Sequence, residues 1–323
     1  MSDLLKFAYA LDGPDAGHVL DEPAAIAALK ADRCAWAHLP ANDPRSRDWI
    51  ATHLSYLDRH AIAALLADET RPRATVIGEG VLLILRGVNT NDGEDPEDMV
   101  SVRVWADPHR VITLARKRVR AIEELAEDIA AGRVPDGAGG FLAALADRLG
   151  VRIEAFGREL DAEADALEEA VIDMPAAEMR HKIVDLRLAA ITFRRYVTPQ
   201  REALEALMRA DTPMIGKSTL RRLQEAHDRL TRLIEDLDAM RDRLAVLREE
   251  LAGQLSDKLN RNMYLLSILS AVFLPLGFLT GLFGINVGGL PGADNSSAFW
   301  LFTAAMIAIA AGLLGFLRWK RWF

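Results

Sequence analysis

Two long apolar runs near the C-terminus constrain this chain more than any other feature. Met263 to Phe283 (MYLLSILSAVFLPLGFLTGLF) spans 21 residues without a charge, and Phe299 to Trp319 spans another 21 with Arg318 as its one charge. At about 1.5 Å of rise per residue each run makes a helix of about 31 Å, close to the roughly 30 Å hydrocarbon core of a bilayer. A buried core helix is the competing reading of any apolar run. Two full-length runs side by side favour a pair of transmembrane helices. The opening MSDLLKFAYALDGPD is too short and too acidic for a secretory signal peptide.

Charge divides the chain in two. The net charge is −8 overall, yet residues 262–323 hold only Asp294, Arg318, Lys320 and Arg321, so the acidity belongs to residues 1–261. An acidic body argues against nucleic acid as a partner. Lys258 and Arg261 precede the first run and Arg318, Lys320 and Arg321 end the second, whereas the loop Gly284 to Ala298 has neither Lys nor Arg. The positive-inside rule then predicts a multi-pass membrane protein with both termini cytoplasmic and the short loop outside, and Trp300, Trp319 and Trp322 suit the headgroup region.

Several chemistries are excluded early. The single cysteine, Cys34, rules out a disulfide framework and a Cys-based zinc site, and its strand-like setting predicts a buried, inert thiol. The seven histidines form no H-x-x-x-H pair. There is no Walker motif, no G-x-G-x-x-G and no nucleophile–His–acid set, so neither an ATP-driven pump nor an enzyme is supported, and no cofactor is expected.

Residues 1–136 read as a cytoplasmic α/β domain. Strand signals fall at 35–39, 74–77, 81–85, 100–104 and 111–114, and helix signals at 24–31, 43–54 and 58–66. Residues 137–261 read as long stalk helices, with Gly137–Gly140 as a joint and Pro175, Pro199 and Pro213 as breaks. In the last of these helices Leu230, Leu233, Leu237, Met240, Leu244, Leu247 and Leu251 step by three and four. No proline falls between Pro213 and Pro275, so one helix from Ser218 to Phe283 would reach about 99 Å. Its seam needs neighbours in the same chain or in other subunits, and oligomerisation is the economical source. The expected order is then transmembrane helix 262–283, outer loop 284–297, transmembrane helix 298–319 and tail 320–323.

The first span ends Gly281-Leu-Phe-Gly284-Ile285-Asn286-Val-Gly-Gly-Leu-Pro-Gly292, with G-x-x-x-G spacings at Gly277/Gly281 and Gly284/Gly288. Read alone, these glycines can simply pack helices and Asn286 can cap one. The arrangement also resembles the CorA family of divalent metal transporters: two C-terminal spans, a long helix entering the first, and Gly-x-Asn at its outer end. That family usually shows Tyr-Gly-Met-Asn, where this chain has Phe283-Gly284-Ile285-Asn286. The glycine-rich loop, the Trp319-Lys-Arg-Trp-Phe323 tail and Leu65-Leu-Ala-Asp-Glu-Thr-Arg-Pro-Arg73 are similar to the zinc-transporting ZntB branch. The resemblance implies an α+β cytoplasmic domain, long helices and two transmembrane helices assembled as a homopentameric funnel. First spans line the pore and second spans face lipid.

Helical spacing back from Asn286 selects Gly281, Gly277, Leu274, Ser270, Ser267 or Leu266, Met263 and Asn260. The family's pore positions fall on Asn286, Gly281, Gly277, Leu274, Leu266, Met263 and Asn260. That row is neutral, so a bare divalent ion would meet no compensating charge and pay heavily for desolvation. Keeping much of the hydration shell, and offering it oxygen acceptors, resolves the problem. Asn286 amides would supply those acceptors through the shell, with carbonyls near Gly284 and serine hydroxyls; Leu274 and Met263 would form apolar constrictions. Asp294 either concentrates cations at the mouth or is an ordinary loop acid. Zn²⁺ prefers thiolate and imidazole, and neither occurs from Asn262 to Phe323, so zinc rests on the resemblance alone. Proton coupling is likewise implied by the ZntB branch, yet neither span offers a carboxylate or histidine as a relay.

The expected activity is therefore transport of partly hydrated Zn²⁺ through a homopentameric pore. Mg²⁺, Co²⁺ or Ni²⁺ on the same architecture is the alternative. A membrane-anchored coiled-coil sensor or scaffold is the alternative from another class. The acidic run Glu159 to Glu169 reads as a solvated helix face or as a regulatory divalent site between subunits.

Overall fold

The computed structural model describes residues 4–31, 33–68, 70–170, 176–284 and 295–319. The chain divides into two compact units, Met1–Arg248 and Glu249–Phe323.

The first unit opens with six strands and three short helices: β1 (Phe7–Ala10), α1 (Glu22–Lys30), β2 (Ala35–Pro40), α2 (Pro44–His53), α3 (Arg59–Leu66), β3 (Arg73–Ile77), β4 (Gly80–Gly87), β5 (Val100–Asp107) and β6 (Arg110–Ala115). The sheet order is β1-β2-β6-β5-β4-β3, and every neighbouring pair is antiparallel except β2/β6. Each short helix starts on an aspartate whose carboxylate accepts from a backbone N–H of the first turn: Asp21 from Ala24, Asp43 from Arg45 and Asp58 from His60. These helices cover one sheet face, burying Leu29, Ile50 and Leu65 against Leu39, Leu82, Trp105, Ile112 and Leu114. Each such side chain contributes about 1.5–3 kcal/mol by leaving water. On the other face Trp36 meets Phe141, their ring centroids 4.9 Å apart, and the Trp36 indole donates to the Thr113 hydroxyl.

The remaining elements are helices: α4 (Arg120–Ala130), α5 (Gly137–Glu169), α6 (Ala176–Met208), α7 (Lys217–Gly284) and α8 (Ala298–Trp319). Gly137–Gly140 is no joint: it is the first turn of α5, entered through Gly137 at φ +62°. Gly139 is required there because a Cβ would collide with the Met214 carbonyl oxygen. Pro199 does not break α6, which continues through it to Met208. Pro213 does lie in the α6–α7 connection, and Pro175 falls outside the described residues. The α7 seam from Leu230 to Leu247 is buried within the single chain. Gly157 of α5 lets the Leu233 side chain approach its backbone, Arg229 pairs with Asp147 and Glu154 of α5, and Arg194 of α6 pairs with Asp238. The seam is thus covered by α5 and α6, and it does not by itself demand another subunit.

Candidate functional site

The second unit contains the C-terminal part of α7 and all of α8, and both helices are long and apolar enough to cross a membrane. Along α7 the less exposed positions are Tyr264, Ile268, Val272, Pro275, Leu276 and Leu279. Along α8 they are Phe302, Thr303, Met306, Ala310, Leu313 and Leu317. Both sets recur at helical spacing, and the Phe283 and Phe302 rings stand 5.2 Å apart, so the two stripes are the facing sides of a hairpin.

The sequence-selected row lies elsewhere on α7. At about 100° per residue, its mean direction is about 150° from the hairpin stripe. Asn260, Met263, Leu266, Ser267, Ser270, Leu274, Gly277 and Gly281 are all exposed, Met263 and Leu266 at 65% and Leu274 at 74%. A Cβ placed on Gly277 or Gly281 would meet nothing within 4 Å in this chain. Gly284 ends α7, while Ile285, Asn286 and Asp294 lie outside the described residues.

The chemistry of this face follows from its atoms. The Ser267 hydroxyl donates to the Met263 carbonyl at 2.9 Å, which commits its proton to the helix and leaves its oxygen lone pairs as acceptors. The outer surface of a hydrated cation presents O–H groups, so acceptors are what such a face must offer. Thr280 makes the same kind of bond to the Leu276 and Gly277 carbonyls, although it lies beside the row. Met263, Leu266 and Leu274 interrupt these acceptors with bulky apolar groups. The rest of the unit is strongly apolar at its surface: Phe273, Phe278, Phe299, Trp300, Leu301 and Ile307 are each more than 60% exposed. Apolar exposure on that scale requires lipid or further protein around it.

The hairpin stripe was not legible in the sequence. An all-apolar helix offers no polar contrast by which one side can be told from another.

In the first unit, the acidic run of α5 has a resident counter-charge. Arg243 of α7 pairs with Asp161 and Asp165 and approaches Glu168 at 3.8 Å, and these carboxylates hold its pKa above the usual range. Among the described residues no three His, Cys, Asp or Glu side chains are gathered to hold a metal ion. Cys34 is buried, and its thiol is pushed up to about 12 by desolvation and then by Asp12 and Asp107, which makes it unreactive.

A mostly antiparallel α+β domain, a helix of 68 residues running on from it and a closing apolar helix define the class. Residues 31–320 match the family described as CorA-like Mg2+ transporter protein, and the chain belongs to that family. It is 36% identical over 321 residues to the divalent cation transporter CmaX of Pseudomonas aeruginosa, covering 98% of this chain and 96% of that one. It is 33% identical over 321 residues to the zinc transport protein ZntB of Pectobacterium atrosepticum, covering 98% and 95%. The solved structure of full-length CmaX superposes with a TM-score of 0.81 at 34% identity, covering 99% of this chain and 98% of that one. The protein is a divalent cation transporter of the CorA family, not an enzyme, and the fold is CorA-like throughout.

Proposed function

We propose that this chain conducts partly hydrated Zn²⁺ across the inner membrane through a homopentameric pore. The observation that carries this reading is the neutral, exposed row on α7, set opposite the stripe that meets α8. In a ring of copies that row faces the axis and α8 faces lipid. Asn260, Met263, Leu266, Ser267, Ser270, Leu274, Gly277 and Gly281 then line the conduit. Gly284-Ile285-Asn286 forms the outer selectivity motif, touching the ion through its water, and Asp294 concentrates cations at the mouth. Both termini are cytoplasmic, and 284–297 is the outer loop. The likeness to zinc transport proteins supports Zn²⁺ as cargo.

One observation favours a second reading, the same pore passing Mg²⁺, Co²⁺ or Ni²⁺. The row carries no thiolate or imidazole to single out zinc. Zinc-dye uptake into liposomes holding the purified chain, with each of these metals as competitor, decides between them. Zinc entry that a tenfold excess of Mg²⁺ fails to suppress upholds the first reading. Asn286→Ala is expected to lower uptake at least tenfold while particle mass stays that of a pentamer. Wild-type protein that assembles but passes no metal would return the spans to the role of membrane anchors.

A further inference from the structure

The edge of the N-terminal sheet carries hydrogen-bonding groups that the transport reading does not use. β1 is an outermost strand, and strand alternation puts Phe7 and Tyr9 on one face, about 6.8 Å apart. Sheet register sets Phe7 across from His38 of β2 and Tyr9 across from Trp36. The four rings form one platform: Phe7 stacks beside Trp36 and His38 with centroids 6.0 and 5.8 Å away, and Tyr9 stacks beside Trp36 at 5.9 Å. α4 faces this platform with Ile122, Ala126 and Ala130, which recur at helical spacing. Between strand and helix lie two cavities of about 360 and 390 Å³. Phe7, Arg118 and Glu123 line both, so the two are one groove.

Two buried polar tips line that groove. Tyr9 is 8% exposed; its hydroxyl has no hydrogen-bond partner among the described residues, yet it is not sealed from solvent. His38 is equally buried, and Thr113 engages its Nδ1, which leaves Nε2 without a partner among the described residues. Desolvation keeps both side chains neutral, with the Tyr9 pKa raised and that of His38 down at about 4. A phenol and a neutral imidazole nitrogen both pair with uncharged donors and acceptors, and leaving them unmet in a buried place is costly. The charged side chains of the walls are mostly engaged with one another or with neighbours. Arg120 pairs with Glu123 and Glu127, Arg118 with Glu123, Arg116 with Asp68 and Lys117 with Glu94. Lys6 is the one charged lining residue with no ion-pair partner among the described residues, and it lines the same cavity as His38.

We propose that this groove binds a flat heteroaromatic molecule carrying an acidic group. Its ring packs on Phe7, where a π-face finds both area and a matching geometry. Its ring heteroatoms meet the Tyr9 hydroxyl and His38 Nε2, and its acid meets the Lys6 ammonium. An apolar cavity of this size with a few convergent polar groups is the usual form of a small-molecule site. The groove lies wholly within the first unit.

The test is calorimetric titration of the full chain in lipid nanodiscs, corrected for empty discs, with three probes. Indole-3-acetate carries both ring and acid, indole lacks the acid, and cyclohexylacetate lacks the flat ring. Indole-3-acetate is expected to give saturable heat and to bind at least tenfold more tightly than cyclohexylacetate. Lys6→Gln should weaken indole-3-acetate at least fivefold and leave indole unchanged. Tyr9→Phe, which removes only the hydroxyl, should weaken both indole probes at least threefold. Lys6 is exposed and Tyr9→Phe keeps its ring, so both variants retain the platform. No saturable heat from indole-3-acetate, equally tight cyclohexylacetate, or an indole-3-acetate affinity unchanged in either variant would overturn the proposal.

Discussion

His38 shows how a single side chain can make stability depend on pH. It is almost fully buried on the Trp36 face of the sheet, with Nδ1 2.8 Å from the Thr113 hydroxyl. Desolvation holds its pKa down at about 4, against 6.5 for a free imidazole. The folded chain therefore keeps His38 neutral where the unfolded chain protonates it. Between about pH 4 and 6.5 the unfolded state binds more protons, so stability falls as the pH is lowered, by up to about 1.4 kcal/mol per pH unit from this residue. Above pH 6.5 its contribution is complete and flat. Lys6 and Glu123 act on His38 with opposite signs and lie beside the same cavity. Thermal melts of the full chain at pH 4.5, 5.5, 6.5 and 7.5 should show this slope, and His38→Asn should flatten it. An unchanged slope in that variant would assign the acid sensitivity to the carboxylates instead. This property was not legible in the sequence, because a lone histidine in a strand signal does not declare whether it points into a core.

At the scale of elements, legibility followed local chemistry. The five strands and three helices expected in residues 24–114 are present within a few residues, because β-branched runs and helix-starting residues such as Asp43 are short-range signals. β1 was missed: Phe-Ala-Tyr-Ala is too short to read, and its pairing with β2 makes it a strand. Pro199 and Gly139 misled for one reason. Each was judged by its own propensity, whereas the surrounding packing decides, carrying α6 through the proline and pressing Met214 against the glycine. The row proposed to line the pore was chosen from spacing, whereas its relation to the α8 stripe could not be read from the sequence. That relation is directly testable, since Cys34 is the only cysteine and can be replaced by serine. Single cysteines at Ser270 and Leu274 should react with a charged, water-soluble methanethiosulfonate at least ten times faster than cysteines at Ile268 and Val272. Equal rates on both sides would remove the row from any aqueous path.

For the whole molecule, the deciding question is what drives the ion. A proton-coupled carrier needs a group that titrates in step with transport, and within the bilayer carboxylates and histidines serve that role. From Asn262 to Phe323 Asp294 is the one acidic side chain, and in the sequence it falls between the two apolar runs rather than within either. Histidine is absent from that stretch. The α5 carboxylates Asp161 and Asp165 are engaged by Arg243. The proposed conduit, neutral and lined by acceptors and apolar rings, is therefore expected to pass a hydrated cation down its own electrochemical gradient. Proteoliposomes can separate the two driving forces by clamping voltage with potassium and valinomycin while the pH gradient is varied. Zinc uptake is expected to follow the imposed voltage and to change less than about twofold when a gradient of one pH unit is collapsed. Uptake that vanishes on collapse would require a proton path through the outer loop or the cytoplasmic domain, and Asp294→Asn would then be the first variant to measure.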